Sequence, residues 1–197
     1  MKKFLSALLI SLLTFQLSAE SSQWITEKFP PKLINRRGKQ VDTATALQGK
    51  IVAVYFSASW CGPCRGFTPK LVEFYKKAKR RGNIEIVFIS SDKDENAMMK
   101  YIRDDKMPWL TAPFQHQTAM KLKSQLRVNG IPTLAVFGKD GKLISRNARW
   151  DVTILGVKAL RAWRDPEYKP LTYEDWLKKS GNDKKSDRQN KKQKKSR

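Results

Sequence analysis

The sequence predicts an α/β domain: a mixed central sheet with helices on both faces. Three observations predict it. First, Ile51-Val52-Ala53-Val54-Tyr55-Phe56 is an unbroken apolar run of strand formers, the pattern of a central strand buried on both sides. Second, the stretch from Cys64 to about Arg81 turns helical, with Phe67, Leu71, Phe74, Tyr75 and Ala78 recurring at three and four residues and Gly82 closing it. Third, the alternation continues. A second buried strand is expected from Ile84 to Ile89, a helix over 94–104, another from Thr118 to Leu126, and a strand from Thr133 to Phe137.

The remaining elements follow in order. Residues 20–30 show little periodicity and read as a linker or irregular arm. Lys32 to Asn35 is a candidate short strand, Arg37-Gly38-Lys39 a turn, and Val41 the start of a second short pairing. Thr43 to Gln48 reads as a short helix with Asp42 or Thr43 as its cap and Gly49 as its end. Ser90-Ser91-Asp92 offers a turn, with Asp92 as a helix cap, and Met107-Pro108-Trp109 breaks the helix that follows. Lys139-Asp140-Gly141-Lys142 is a hairpin turn, and Leu143 to Arg146 is the returning strand. A helix is expected from Asp151 to Arg164. A last one is expected from Thr172 to Lys179, its start favoured by Thr172 and Glu174-Asp175.

The 197 residues suit one domain, placed at 31–179, with an appendage at each end. Met1-Lys2-Lys3, an apolar run from Phe4 to Leu17 and then Ser18-Ala19 make the pattern of a secretory signal over residues 1–19. The run is shorter than the ~20 residues that span a bilayer. The reading is therefore of an exported protein, periplasmic or secreted, cut after Ala19. At the other end, residues 180–197 contain no apolar side chain apart from Gly181 and cannot bury enough surface to fold, so a disordered basic tail is expected. Residues 178–197 alone carry ten Lys and Arg against Asp183 and Asp187, within a formal charge of +22 for the whole chain. Such a surface favours anionic partners. No aromatic residue interleaves the tail charges, which removes the stacking platforms of a nucleic-acid binder. Attachment to an anionic envelope surface and a merely solubilising role both remain open.

The two cysteines, Cys61 and Cys64, lie three apart at the predicted strand-to-helix junction. Residues so spaced share a helix face, so their sulfurs can join or part without moving the scaffold. Cys61 would stand at the helix N-terminus, where unpaired N–H groups and the macrodipole favour a thiolate; leading cysteines of such motifs have pKa values of ~3.5 to ~7. Cys64, one turn inside, would be shielded. Pro63 needs no N–H partner near a helix start, and Gly62 allows a substrate backbone to come close. A purely structural bridge across so short a loop would stabilise little. A zinc site needs about four ligands, and His116 is the sole histidine, expected in a surface loop. The pattern therefore points to a redox pair with no cofactor beyond its own disulfide. With no third cysteine, electrons must be exchanged with other molecules: disulfide-containing proteins on one side and a thiol donor on the other.

Tyr55-Phe56-Ser57-Ala58-Ser59-Trp60-Cys61-Gly62-Pro63-Cys64-Arg65 resembles the active-site strand and turn of thioredoxin-fold proteins. Phe67-Thr68-Pro69, the run Glu85 to Asp92, Gly130-Ile131-Pro132-Thr133-Leu134 and Asp140-Gly141-Lys142 are similar to the tryparedoxin and nucleoredoxin branch, over roughly residues 30 to 165. The resemblance implies a thioredoxin fold, with Cys61 as attacking and Cys64 as resolving cysteine and Trp60 as an aromatic flank. It also implies that Pro132 is a cis-proline facing the dithiol and that the Ile131 backbone pairs with a substrate strand. Two departures stand out. Gly-Pro separates the cysteines where that branch carries Pro-Pro, a feature that resembles reducing thioredoxins. Tyr55 stands, as in the tryparedoxin-like branch, where thioredoxin has a buried aspartate. No replacement base is identified; Glu73 qualifies only by its position on the helix, and a solvated role fits it better. Trp109, Trp150, Trp163 and Trp176 read as core or rim; the resemblance also places Trp109 in a loop near the site, where partner contact is the alternative. The expectation is a monomeric protein-disulfide reductase. An oxidase or isomerase, or a non-catalytic adaptor using the Pro132 loop and the basic surface, are the alternatives.

Overall fold

The computed structural model describes residues 23–180; the expected export signal and nearly all of the basic tail lie outside them. Seven strands form one sheet: β1 Lys32–Ile34, β2 Gln40–Asp42, β3 Ile51–Ser57, β4 Ile84–Ser90, β5 Leu110–Thr111, β6 Thr133–Phe137 and β7 Leu143–Ser145. Their order across the sheet is β2-β1-β5-β4-β3-β6-β7. β3 runs parallel to β4 and antiparallel to β6, so the sheet is mixed at its centre.

The pleat sorts side chains with period two. Ile51, Ala53, Tyr55, Ile86, Phe88, Leu134 and Val136 face one core. That core is closed by α3 Gly62–Arg81, α4 Glu95–Asp104, α6 Arg149–Leu155 and α7 Ala159–Ala162. Val52, Val54, Phe56, Val87, Ile89, Ala135 and Phe137 face the other, closed by α1 (residues 23–28), α2 Thr43–Leu47 and α5 Gln117–Gln125. The helices therefore cover both faces, as the sequence predicts.

Three expectations change, and one strand appears that the sequence does not announce. The arm is not irregular: residues 23–28 are helical, and Trp24, Ile25 and Phe29 are buried, so the packed domain begins well before residue 31. The signal is three apolar residues on a single turn and a half, too few for a visible period. Asp92 does not cap the next helix. Asp94 does, accepting from Ala97 N at 2.7 Å. The helix expected over 151–164 is divided at Gly156, whose φ of +54° ends α6 and leads through a 3₁₀ turn, Gly156–Lys158, into α7. The two-residue strand β5 follows Trp109 and has no sequence signature of its own. Beyond α7, residues 173–180 form α8, where Thr172 and Asp175 cap each other reciprocally.

Candidate active site

β3 ends at Ser57 and α3 begins at Gly62, so the dithiol lies at the carboxyl edge of the central strand. Cys61 is the N-cap of α3, and Pro63 occupies its first turn, where a missing N–H costs nothing. Cys61 and Cys64 form a disulfide with Cα atoms 5.2 Å apart. The Cys64 backbone N–H points at Cys61 Sγ from 3.3 Å, the position from which it would stabilise a thiolate. Cys61 retains 6% exposure and Cys64 none, so an incoming group can reach only the first sulfur. Gly62 is open to solvent on its Cβ side. The Ile131–Pro132 peptide is cis, and Ile131 O stands 3.7 Å from Cys61 Sγ. Thus the structure brings Cys61, Gly62, Pro63, Cys64, Ile131 and Pro132 together.

Trp60 is the most exposed large apolar side chain beside the site, at 67%, and its indole donates to Ser91 O at 3.1 Å. The loop carrying it is braced from β4. Asp92 accepts from Ser59 N at 2.8 Å and Ser59 Oγ at 2.6 Å, and its other oxygen accepts from Ser90 Oγ at 2.7 Å. Asp92 therefore positions the turn before Cys61. Sequence reasoning missed this because the partners lie 33 residues apart.

Behind the disulfide, four buried hydroxyls form a chain. Thr68, one turn after Cys64, donates to Cys64 O at 2.9 Å. Its single proton being spent, its oxygen must accept from Tyr55 OH (2.8 Å) and Tyr101 OH (2.7 Å). Tyr101 in turn accepts from Ser57 Oγ at 3.0 Å. Burial pushes the Tyr55 phenol far above its ordinary range. The site thus has a neutral hydroxyl network where thioredoxin has an acid, and Tyr55 cannot act as a base near neutral pH.

Other marked residues fall away from the sulfurs. Glu73 is exposed and paired with Lys77 at 2.5 Å; Lys77 holds its carboxyl below the usual range, so it is solvated, not a base for Cys64. Trp109 is 1% exposed and packs edge-on against Tyr55 and Tyr75, so it is core and cannot touch a partner. Trp163 is core, whereas Trp150 and Trp176 are half-buried. His116 caps α5 through Nδ1, which accepts from Thr118 N at 3.2 Å. Among the described residues no group of three His, Cys, Asp or Glu could hold a metal.

Residues 49–143 match the thioredoxin-like family model. Tryparedoxin of Trypanosoma brucei brucei is 44% identical over 125 residues, covering 62% of this chain and 85% of that protein. The chain belongs to the thioredoxin-like oxidoreductases, in their tryparedoxin and nucleoredoxin branch. Probable nucleoredoxin 1 of Arabidopsis thaliana is 41% identical over 143 residues, which is 72% of this chain but only 23% of that longer protein. The solved tryparedoxin of Trypanosoma brucei superimposes with a TM-score of 0.64 at 39% identity, covering 71% of this chain and 97% of that one. The family match ends at residue 143, so α6, α7 and α8 lie beyond it.

Proposed function

We propose that this chain is an exported protein-disulfide reductase working through the Cys61–Cys64 pair. The observation that carries the reading is the asymmetry of the two sulfurs. Cys61, at the helix N-terminus, meets solvent and the Ile131 carbonyl, while Cys64 is sealed beneath it. In the reduced enzyme the Cys61 thiolate attacks a partner disulfide. One partner sulfur leaves as a thiolate and takes a proton from water, and a mixed disulfide remains. Cys64 loses its proton and attacks Cys61 Sγ, which releases the second partner thiol and closes the Cys61–Cys64 bridge. A dithiol donor restores the pair. Because the hydroxyl chain holds no carboxylate, the Cys64 proton passes to the departing sulfur or to water.

Export rests on the signal pattern over residues 1–19, and the reductase direction on Gly-Pro between the cysteines. The chain acts as a monomer, and the basic tail supplies attachment to anionic envelope surfaces. Replacing Cys61 by Ser abolishes insulin-type disulfide reduction; activity that persists in Cys61→Ser sinks the enzymatic reading and leaves the adaptor. Equilibration against glutathione sets direction: a potential near ~−270 mV supports a reductase, and one near ~−120 mV an oxidase. Amino-terminal sequencing of the protein recovered from its native compartment is expected to begin at Glu20.

A further inference from the structure

The surface on the Pro132 side of the disulfide is a groove without acid. It consists of three cavities that share walls. The first, about 420 Å³, is lined by residues that include Lys123, Arg127 and Asn129. The second, also about 420 Å³, shares Arg127, Val128 and Asn129 with it and adds Thr133, Arg146 and Asn147. The third, about 520 Å³, shares Arg146 and Asn147 and ends at Trp150 and Tyr173. No Asp or Glu lines any of the three.

The groove adjoins the loops that flank the active site. Lys123 Nζ donates to Ser91 Oγ at 2.8 Å, and Ser91 O holds the Trp60 indole. Thr133 directly follows the cis-proline. Its cations are fixed by neutral acceptors: Arg146 donates to Leu126 O at 3.2 Å, as Lys123 does to Ser91. Among the described residues no ion pair involves Lys123, Arg127, Arg146 or Arg149. At the far end the Arg149 guanidinium stacks 4.5 Å from the Trp150 ring, and its buried Nε has no partner. Trp150, Tyr173 and Trp176 stack on one another with centroids 5.2–5.6 Å apart, and Tyr173 remains 47% exposed. The other flank of Trp60 contrasts with this. Its cavity of about 250 Å³ holds Arg65 and Lys100 against Asp104 and Asp105, so its charges balance. A general basic surface would show no such difference between the two flanks of one site.

We propose that this groove binds an extended acidic polypeptide segment adjoining the partner's disulfide, with an aromatic or aliphatic side chain seated at Trp150 and Tyr173. The proposal names a substrate class for the reductase reading and rests on it. A polypeptide fits better than a diffuse polyanion because the groove runs from Thr133, beside the cis-proline, to an aromatic surface that offers nothing to charge alone. The far wall comes from Trp150 and residues 170–173, beyond the residues that the family model matches.

The test separates the two readings. Two fluorescent cysteine-free peptides, alike except that four Asp/Glu in one are Lys in the other and both ending in Phe, are titrated into the full chain at low ionic strength. The acidic peptide is expected to bind at least about tenfold more tightly, with the preference fading at high salt. Arg127→Glu/Arg146→Glu is expected to reduce the preference to within about twofold, Arg127→Lys/Arg146→Lys to keep it, and Tyr173→Ser to weaken the acidic peptide alone. Equal affinities for the two peptides overturn the proposal. So does a charge-reversed variant that keeps the preference, or one that loses only binding to phosphatidylglycerol vesicles. Reduction of bis(2-hydroxyethyl) disulfide by the wild-type chain is measured in parallel. If that fails while the acidic preference stands, the oxidoreductase reading falls and the groove survives.

Discussion

Thr68 shows how one residue can organise a site it never touches with charge. Its hydroxyl gives its proton to the Cys64 carbonyl and gathers those of Tyr55 and Tyr101. Thr68→Val, close in volume, strands the buried Tyr55 phenol and leaves Tyr101 only Ser57 as a partner. The expected cost is about 1–3 kcal/mol, the cost of one stranded buried hydroxyl, read from the denaturant midpoint. The residue types here were legible: Tyr55 in place of an acid, Thr68 on the helix. Their connection was not, because Tyr101 arrives from another helix 33 residues on. Asp92 teaches the same lesson. A strand-end aspartate before a helix reads as a cap, yet its acceptors face back toward Ser59 because Asp94 already satisfies the helix.

At the scale of elements, α1 is clamped onto the β6–β7 hairpin. Trp24 Nε1 donates to Lys139 O at 3.3 Å, and the indole covers Gly141, whose φ is +77°. A Cβ at Gly141 would overlap that indole. Gly141→Ala therefore carries both a left-handed backbone penalty and a steric one, and is expected to destabilise by about 1–3 kcal/mol in thermal or denaturant unfolding. The C-terminal elements are held by Asp151, fully buried on α6, which accepts from Trp163 Nε1 and Leu171 N at 2.8 Å each. Burial outweighs these bonds and raises its carboxyl above the ordinary value. A raised folded-state value means the protonated form is preferred on folding. This contribution is present below the unfolded pKa and is lost as pH rises through the folded one. The stability of wild type relative to Asp151→Asn is thus expected to fall as pH is raised from about 4 to 7. Paired denaturation curves check this, and a difference that grows with pH would contradict it. Asp42 and Glu73, whose carboxyls are lowered by Thr45 and Lys77, change in the opposite sense in both proteins and cancel in the difference.

For the molecule as a whole, stability comes from two apolar layers around β3, β4 and β6 rather than from the bridge. Closing a four-residue loop contributes about 2 kcal/mol, so oxidised and reduced protein are expected to differ by no more than about that in denaturant unfolding. A gap of 5 kcal/mol or more, judged against that same loop estimate, would mark the disulfide as structural. The scaffold can therefore cycle between the two states without unfolding, as an oxidoreductase requires. Charge is the other whole-molecule property. It is unevenly spread around the site, balanced beside Arg65 and uncompensated from Lys123 to Arg149.

The sequence by itself determined the strand-helix order apart from α1, β5 and the break at Gly156, together with the dithiol at a helix start, the proline loop and the family. Each is written in local periodicity or in a contiguous motif. Only the tertiary structure decided what surrounds the sulfurs: the hydroxyl chain and the Asp92 brace. It also turned three unremarkable stretches, 120–129, 143–150 and 170–173, into one acid-free groove. The physical reason is the same throughout. Periodicity reports which face of an element is apolar, but contacts between elements depend on sheet order and packing, which bring together residues with no relation along the chain.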